Sequence, residues 1–282
     1  MYQHVTVAPL AGALGAEIFG VDVAQLNDAE FAEIHDVFRD FGVIFFRDQT
    51  LTPKSHLEFA ARWGGVNVNR FFANVEGYPS IAEVRKEPGD NVNIGGDWHT
   101  DHSYDSEPAL GSLLYALEVP AFGGDTMFSS MAAVYAGLSK GMQQLLVGLR
   151  AVHSSRHVFG AVRYEEDGDE FDGRLGNQHL ATQDATHPIV IKHPLSGRPC
   201  LYVNPGFTVK IDGWTEEESR PLLEYLYEQG KRPEHTCRFR WQPGSVALWD
   251  NRATWHYALN DYPGERRLMH RVTIEGAPLQ AA

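Results

Sequence analysis

Three residues that must meet in space constrain this fold most, because the sequence holds two of them far from the third. In Asp97-Trp98-His99-Thr100-Asp101, His99 and Asp101 stand two apart. On a β-strand such a pair points to one face, roughly 7 Å apart along the chain. An imidazole and a carboxylate suit Fe(II), and a second histidine beside them would leave the opposite face of an octahedral ion open. Alone, the pair also fits a strand-end histidine hydrogen-bonded to a neighbouring carboxylate. The candidate third ligand lies far downstream, where the strand-like run 245–249 passes through the polar turn Asp250-Asn251-Arg252 and on to His256. Strands distant in sequence become neighbours in a β-barrel or jelly roll.

A chain of 282 residues can bury one large core or two small ones, and 43% apolar with 22% charged residues is ordinary globular composition. Cys200 and Cys237 are the only cysteines, without metal-type spacing, so neither a disulfide framework nor a zinc ribbon is expected. The segment Met1 to Gly20 has no basic stretch followed by an apolar core, and no apolar run approaches the roughly 20 residues needed to cross a bilayer. A soluble cytoplasmic protein is expected. A formal net charge of −13 repels phosphate backbones, and no basic stripe with interleaved aromatics offsets it. Neither nucleic acid nor a membrane is expected as a partner.

Taken in order, Asn27-Asp28-Ala29-Glu30 reads as a helix cap, and Phe31, Ile34, Phe38 and Phe41 recur at helical spacing up to Gly42. Val43-Ile44-Phe45-Phe46 reads as a buried strand, and Thr52-Pro53 opens a second helix expected to reach Trp63. Residues 67–72 alternate loosely and fit either a pocket wall or a surface edge strand. The run 110–119 is apolar on both faces, as a covered strand is. Gly123-Gly124-Asp125-Thr126 then turns the chain and presents a hydroxyl just beyond two glycines, although a plain hairpin turn reads the same way.

Helical stretches follow near Ala132 and over 139–149. Between Arg163 and Gly176 the sequence is acidic, with Glu165, Glu166, Asp167, Asp169, Glu170 and Asp172, and matches no calcium loop. A solvated, mobile loop at about 160–182, able to act as a lid, is expected there. Strand patterning resumes at 189–191 and 200–203. In the helix around 215–229, Thr215 and Glu218 are spaced as a capping box, but Pro221 conflicts with that start and leaves Ser219 as an alternative. With no repeat, linker or composition break, one domain over 1–282 is expected.

The stretch 266–274 carries Arg267, Met269, Arg271 and Thr273 on one face at period two, and Arg266, Leu268, His270, Val272 and Ile274 on the other. If the first face lines an interior, two guanidinium groups point inward. An unpaired buried charge costs several kcal/mol or more, so those arginines require anionic partners, either protein carboxylates or ligands.

His99-x-Asp101, Gly124-Asp125-Thr126, Trp249-Asp250-Asn251-Arg252 with His256, and Arg267 with Arg271 together resemble the Fe(II)- and 2-oxoglutarate-dependent dioxygenases of the taurine dioxygenase and 2,4-D dioxygenase (TauD/TfdA) family. Val203 to Thr208 and Arg240 to Pro243 extend the likeness over nearly the full length. The resemblance implies a mainly β fold with flanking helices (α+β), a double-stranded β-helix of the cupin-like jelly-roll kind. It implies His99, Asp101 and His256 as iron ligands, Arg267 with Thr126 on the distal carboxylate of 2-oxoglutarate, and Arg271 on the anionic group of the substrate. The matching pocket positions are Asn69, the Ile94-Gly95 region, Val158, Phe159 and Phe207. His102 and His157 receive no catalytic role.

The implied reaction uses O2 to hydroxylate an aliphatic C–H of a small anionic substrate, a sulfonate, alkyl sulfate or carboxylate, and converts 2-oxoglutarate to succinate and CO2. An aryloxyalkanoate is the alternative substrate within the family. Fewer polar groups than taurine enzymes place around their amine point to a bulkier or more apolar anion. Relatives are often dimers or tetramers, so the resemblance implies a homo-oligomer. Two other classes share the residue pattern: a non-redox jelly-roll metalloprotein, and a small-anion binding protein without iron.

Overall fold

Local sequence signals place the first elements. In the computed structural model, which describes residues 2–160 and 173–282, helix α1 (Asp28–Phe41) starts at a capping box. Asn27 Oδ1 accepts from the N–H of Ala29 and Glu30, while the Asn27 N–H donates to the Glu30 carboxylate. It stops at Gly42, whose φ of +72° is a left-handed conformation that favours glycine. Strand β1 (Val43–Phe46) follows at once. Helix α2 (Pro53–Ala61) has Thr52 as its cap and proline at its start. It ends before Trp63, which instead packs edge-on against Phe31 and Phe38 of α1 at 5.1 and 4.9 Å.

The remaining elements that build the site are β2 (Tyr78–Lys86), β3 (Gly111–Glu118), β4 (Thr126–Ser130), α3 (Glu216–Gly230), β5 (Thr236–Phe239), β6 (Val246–Asp250), β7 (Thr254–Ala258) and β8 (Arg267–Ile274). A large sheet runs β1-β6-β3-β8-β2 through its centre, with all four of those pairs antiparallel. A smaller sheet, β5-β4-β7, faces it. Strands far apart in sequence lie side by side in both sheets, and the architecture is the jelly roll of a double-stranded β-helix.

Period-two alternation explains why the central strands are apolar throughout. Ile44, Phe46, Leu113, Val246, Leu248, Val272 and Ile274 pack outward with α1 and α2, while Val43, Phe45, Leu114, Ala247, Trp249 and Met269 pack inward. Phe45 bridges the two sheets, stacked on Phe239 at 4.0 Å between ring centroids and edge-on to Phe128 at 5.6 Å. On β8 the inward set therefore includes Arg267 and Arg271, both buried.

Some expectations are revised. His99 does not sit in a regular strand: it forms a single bridge with His256, and Asp101 follows in a turn where His102 takes a φ of +60°. Helix α3 does start at Thr215, with a complete capping box and Pro221 inside it. The carbonyl that Pro221 leaves unbonded belongs to Glu217, on the exposed side of the helix, so water can satisfy it. The expected 139–149 helix is the shorter Lys140–Leu146. Residues 161–172 of the acidic stretch lie outside the described residues; beyond them, Leu175 bridges to Phe72 and Gln178–Leu180 forms a helical turn. Both cysteines are free and buried. Among the described residues no helix is long and apolar enough to cross a membrane.

His56 of α2 is buried against the large sheet with neither ring nitrogen hydrogen-bonded to another side chain. Burial, helped by nearby His270, pushes its pKa down to about 3. Between that value and the unfolded value near 6.5, the unfolded chain binds a proton that the folded one does not. Stability should therefore fall as pH drops through this window, by about 1.4 kcal/mol per pH unit for this one group. Urea unfolding at pH 7 and pH 5 should show the loss, and His56→Leu should flatten it.

Candidate metal and co-substrate site

The site is built where the two sheets meet. His256 lies on β7, opposite Phe128 of β4. Paired backbone bonds, His99 N–H to His256 O at 3.1 Å and the reverse at 2.8 Å, bring the His99 segment alongside it. Gly206 permits this approach, since a Cβ there would stand 2.7 Å from the His99 Cβ. One donor atom from each of His99, Asp101 and His256 then lies within 4.8 Å of the others. The His99 and His256 Nε2 atoms are 3.6 and 3.9 Å from Asp101 Oδ1.

Neighbouring groups fix the ligand chemistry. His99 Nδ1 donates to the Asp97 carbonyl at 2.7 Å, which leaves the Nε2 lone pair free. Ser112 on β3 donates to Asp101 Oδ2 at 2.7 Å and itself accepts from Asn251 Nδ2 at 3.1 Å. Asn251 Oδ1 accepts from the Trp249 indole at 2.9 Å. Burial pushes the Asp101 carboxyl up, but Arg271, His256 and His99 more than offset it and hold it well below the usual carboxylate range. Burial and then His99 hold the His256 imidazole well below its ordinary value. A metal ligand set needs its carboxylate ionised and its imidazoles free to offer a lone pair; Asp101 and His256 are held in those states, and this donor set fits Fe(II).

A cavity of about 650 Å³ opens over these groups, and its walls include Thr126, Arg267, Arg271, Asn69, Phe159 and Phe207. Every site residue named from the sequence thus borders one cavity. Arg267 is 5% exposed, and among the described residues it has no ion pair and its Nε no partner. Asp125, whose charge acts on Arg267, pairs with Arg238 at 2.6 Å instead. Burial accordingly pulls the Arg267 pKa down. Arg271 is different: its Nη1 reaches Asp101 Oδ1 at 3.4 Å and its guanidinium lies 4.3 Å from the Phe72 ring centroid.

Aromatic rings line much of the wall, with Phe207 edge-on to His99 at 6.0 Å. Phe159 stacks on Phe71 at 4.3 Å, and Tyr104 meets Phe207 edge-on at 4.9 Å. Asn69 is partly committed, because its Oδ1 accepts from the N–H of Phe71 and Phe72 at 2.9 and 3.2 Å. Its Nδ2 donates to His102 Nε2 at 3.4 Å, His102 Nδ1 donates to Asp105 at 2.9 Å, and Asp105 pairs with Arg70. Of the stretch 67–72, Asn69 and Phe72 thus line the cavity, while Asn67 ends a short strand paired with β8 and Val68 is exposed. Ser112 and Tyr104 were not legible as site residues, the only hint being a serine in a largely apolar covered strand, and Asn251 stood out only as part of the polar turn before His256.

A family model described as "Taurine catabolism dioxygenase TauD, TfdA family" matches residues 6–273. The chain belongs to that family. Among curated TauD/TfdA relatives, the alkylsulfatase of Acinetobacter baylyi is 33% identical over 97% of this chain and 86% of its own length. The alpha-ketoglutarate-dependent sulfate ester dioxygenase of Pseudomonas putida is 34% identical over 97% of this chain and 90% of its own. A solved taurine dioxygenase from Burkholderia xenovorans superposes with a TM-score of 0.82 at 34% identity, covering 97% of this chain and 92% of that one. This TauD/TfdA chain is a 2-oxoglutarate-dependent oxidoreductase that uses Fe(II) and O2.

Ser112 orients Asp101 without touching the metal position, and loss of such a partner typically weakens metal binding about 10–100-fold. Ser112→Ala should therefore weaken Mn(II) or Fe(II) binding by roughly tenfold, measured by titration under argon, while the melting temperature stays within a few degrees.

Proposed function

We propose that this enzyme hydroxylates the carbon next to a sulfate ester or sulfonate group of a small organic anion. His99, Asp101 and His256 would hold the iron, which when bound supplies the activation of O2 coupled to decarboxylation of 2-oxoglutarate and cleavage of the substrate C–H bond. The observation that carries the reading is Arg267, a buried guanidinium without an ion-pair partner among the described residues, bordering the same cavity as the three candidate ligands. A bidentate carboxylate is its natural complement, and the distal carboxylate of 2-oxoglutarate fits. Thr126 adds a hydroxyl beside it.

Arg271 would hold the anionic head of the substrate, close enough to Asp101 that the carbon next to the head lies near the metal. Phe159 and Phe207 would pack on the body of the substrate, and Asn69 would contribute its Nδ2. For an alkyl sulfate, R–CH2–OSO3⁻ becomes R–CH(OH)–OSO3⁻ as 2-oxoglutarate becomes succinate and CO2. That product collapses to the aldehyde and hydrogen sulfate as the C–O bond to sulfate breaks and the hydroxyl proton leaves. The relatives named for alkyl sulfates and sulfate esters support this head group. The aromatic walls also favour a second reading, an aryloxyalkanoate; one relative at 29% identity is named for (S)-phenoxypropionate. We further propose that one unit spans 1–282 and acts in the cytoplasm as a homo-oligomer.

Succinate release from 2-oxoglutarate with Fe(II) and ascorbate should be stimulated by medium-chain alkyl sulfates, with sulfate and aldehyde formed in equal amounts. Stimulation by phenoxyalkanoates alone would establish the second reading. Arg271→Ala should lower kcat/KM for the active anion by about 30-fold or more, the effect of losing about 2–5 kcal/mol from a buried charge contact.

A further inference from the structure

Trp241 lies just beyond β5 and takes no part in the mechanism above. Its indole N–H donates to Thr126 Oγ1 at 2.9 Å, in a place where both side chains are buried. The Arg267 guanidinium carbon stands 5.8 Å from the Trp241 ring centroid. One side chain thus touches both groups assigned to the distal carboxylate of 2-oxoglutarate.

An indole is only ever a donor, whereas a threonine hydroxyl can donate one hydrogen or accept through its oxygen. With the Trp241 hydrogen pointing at Oγ1, the Thr126 oxygen is already accepting, and its own hydrogen must point elsewhere. Among the described residues no acceptor for that hydrogen is present. Thr126 borders the cavity beside Arg267, whose Nε–H is likewise without a partner. We propose that Trp241 is a positioning residue: it fixes the Thr126 hydroxyl as a donor toward the co-substrate carboxylate. The indole takes one of the two lone pairs of Oγ1 and leaves the hydroxyl hydrogen for the cavity, so that with the Arg267 guanidinium the clamp is rich in donors and complementary to a carboxylate. Accepting from the indole also polarises the hydroxyl and strengthens its donation.

This inference rests on the assignment of Thr126 and Arg267 to 2-oxoglutarate, and a double-mutant cycle separates the two claims. 2-Oxoglutarate is titrated calorimetrically into the Mn(II)-loaded protein under argon, so that no turnover occurs. Thr126→Val should weaken binding by at least about tenfold, as losing one hydrogen bond to a charged group does, and Trp241→Phe by about 3–10-fold, as losing one neutral hydrogen bond does. Trp241→Phe added to Thr126→Val should weaken binding no further. Equal losses from Trp241→Phe in both backgrounds would mean that Trp241 acts through packing, and would overturn the inference while leaving the clamp intact. No loss on Thr126→Val would instead remove the clamp reading beneath it.

If Trp241→Phe does not fold, the wild-type protein still decides. In the Zn(II)-loaded form, the Trp241 indole N–H resonance should move downfield when 2-oxoglutarate binds, because Thr126 becomes a better acceptor as it donates. An unmoved resonance in a saturated complex would overturn the proposal.

Discussion

Burying the Arg267 guanidinium with no ion-pair partner among the described residues opposes folding by several kcal/mol, yet β8 carries that residue inward, on a face that is buried along its whole length. The rest of the structure makes this tolerable. Val272 and Ile274 anchor the outer face of β8 under the helices, and Met269 packs between the sheets. The strand is held by its neighbours on both sides, and Arg267 cannot turn outward without a register slip that would expose the whole apolar set. The fold thus holds a guanidinium that no described carboxylate pairs with, on the wall of an open cavity.

The candidate metal position arises from a different constraint. His99 and His256 share two backbone hydrogen bonds, so their imidazoles are neighbours because their main chains are. Asp101 is brought round by a turn with a left-handed residue at His102 and locked by Ser112 and Asn251. The polar turn after β6 serves both ends of this arrangement. Asn251 supports the metal side, while Asp250 holds Arg252 at 2.7 Å and His193 at 2.9 Å beneath the hairpin formed by Val190–Lys192 and Pro199–Leu201. Arg252 and His193 outweigh the effect of burial and keep the Asp250 carboxyl ionised.

Much of this was legible in the sequence because it follows from short-range periodicity. The double-sided burial of Val43 to Phe46, the two faces of 266–274 and the caps at Asn27, Thr52 and Thr215 are local patterns, and the structure contains them. The nine named site residues border one cavity. What the sequence did not reveal depends on contacts without a spacing rule. Ser112 looks like any small residue in a buried strand, and Trp241 like any core aromatic, until the fold sets their polar atoms against Asp101 and Thr126. The strand geometry assumed for His99 and Asp101 was replaced by a bridge and a turn, since the bridging partner lies on β7 and a local pattern cannot register it.

The most direct test is the affinity of 2-oxoglutarate for Arg267→Ala, measured calorimetrically with Mn(II) under argon. The account predicts that binding weakens by at least about 100-fold, the loss of a buried charged contact worth roughly 3 kcal/mol or more, while Mn(II) affinity and the near-UV circular dichroism remain those of the wild type. Binding within a few-fold of wild type, in a protein that keeps its metal and its fold, would contradict the account: the inward arginine would then have some other anion to answer to.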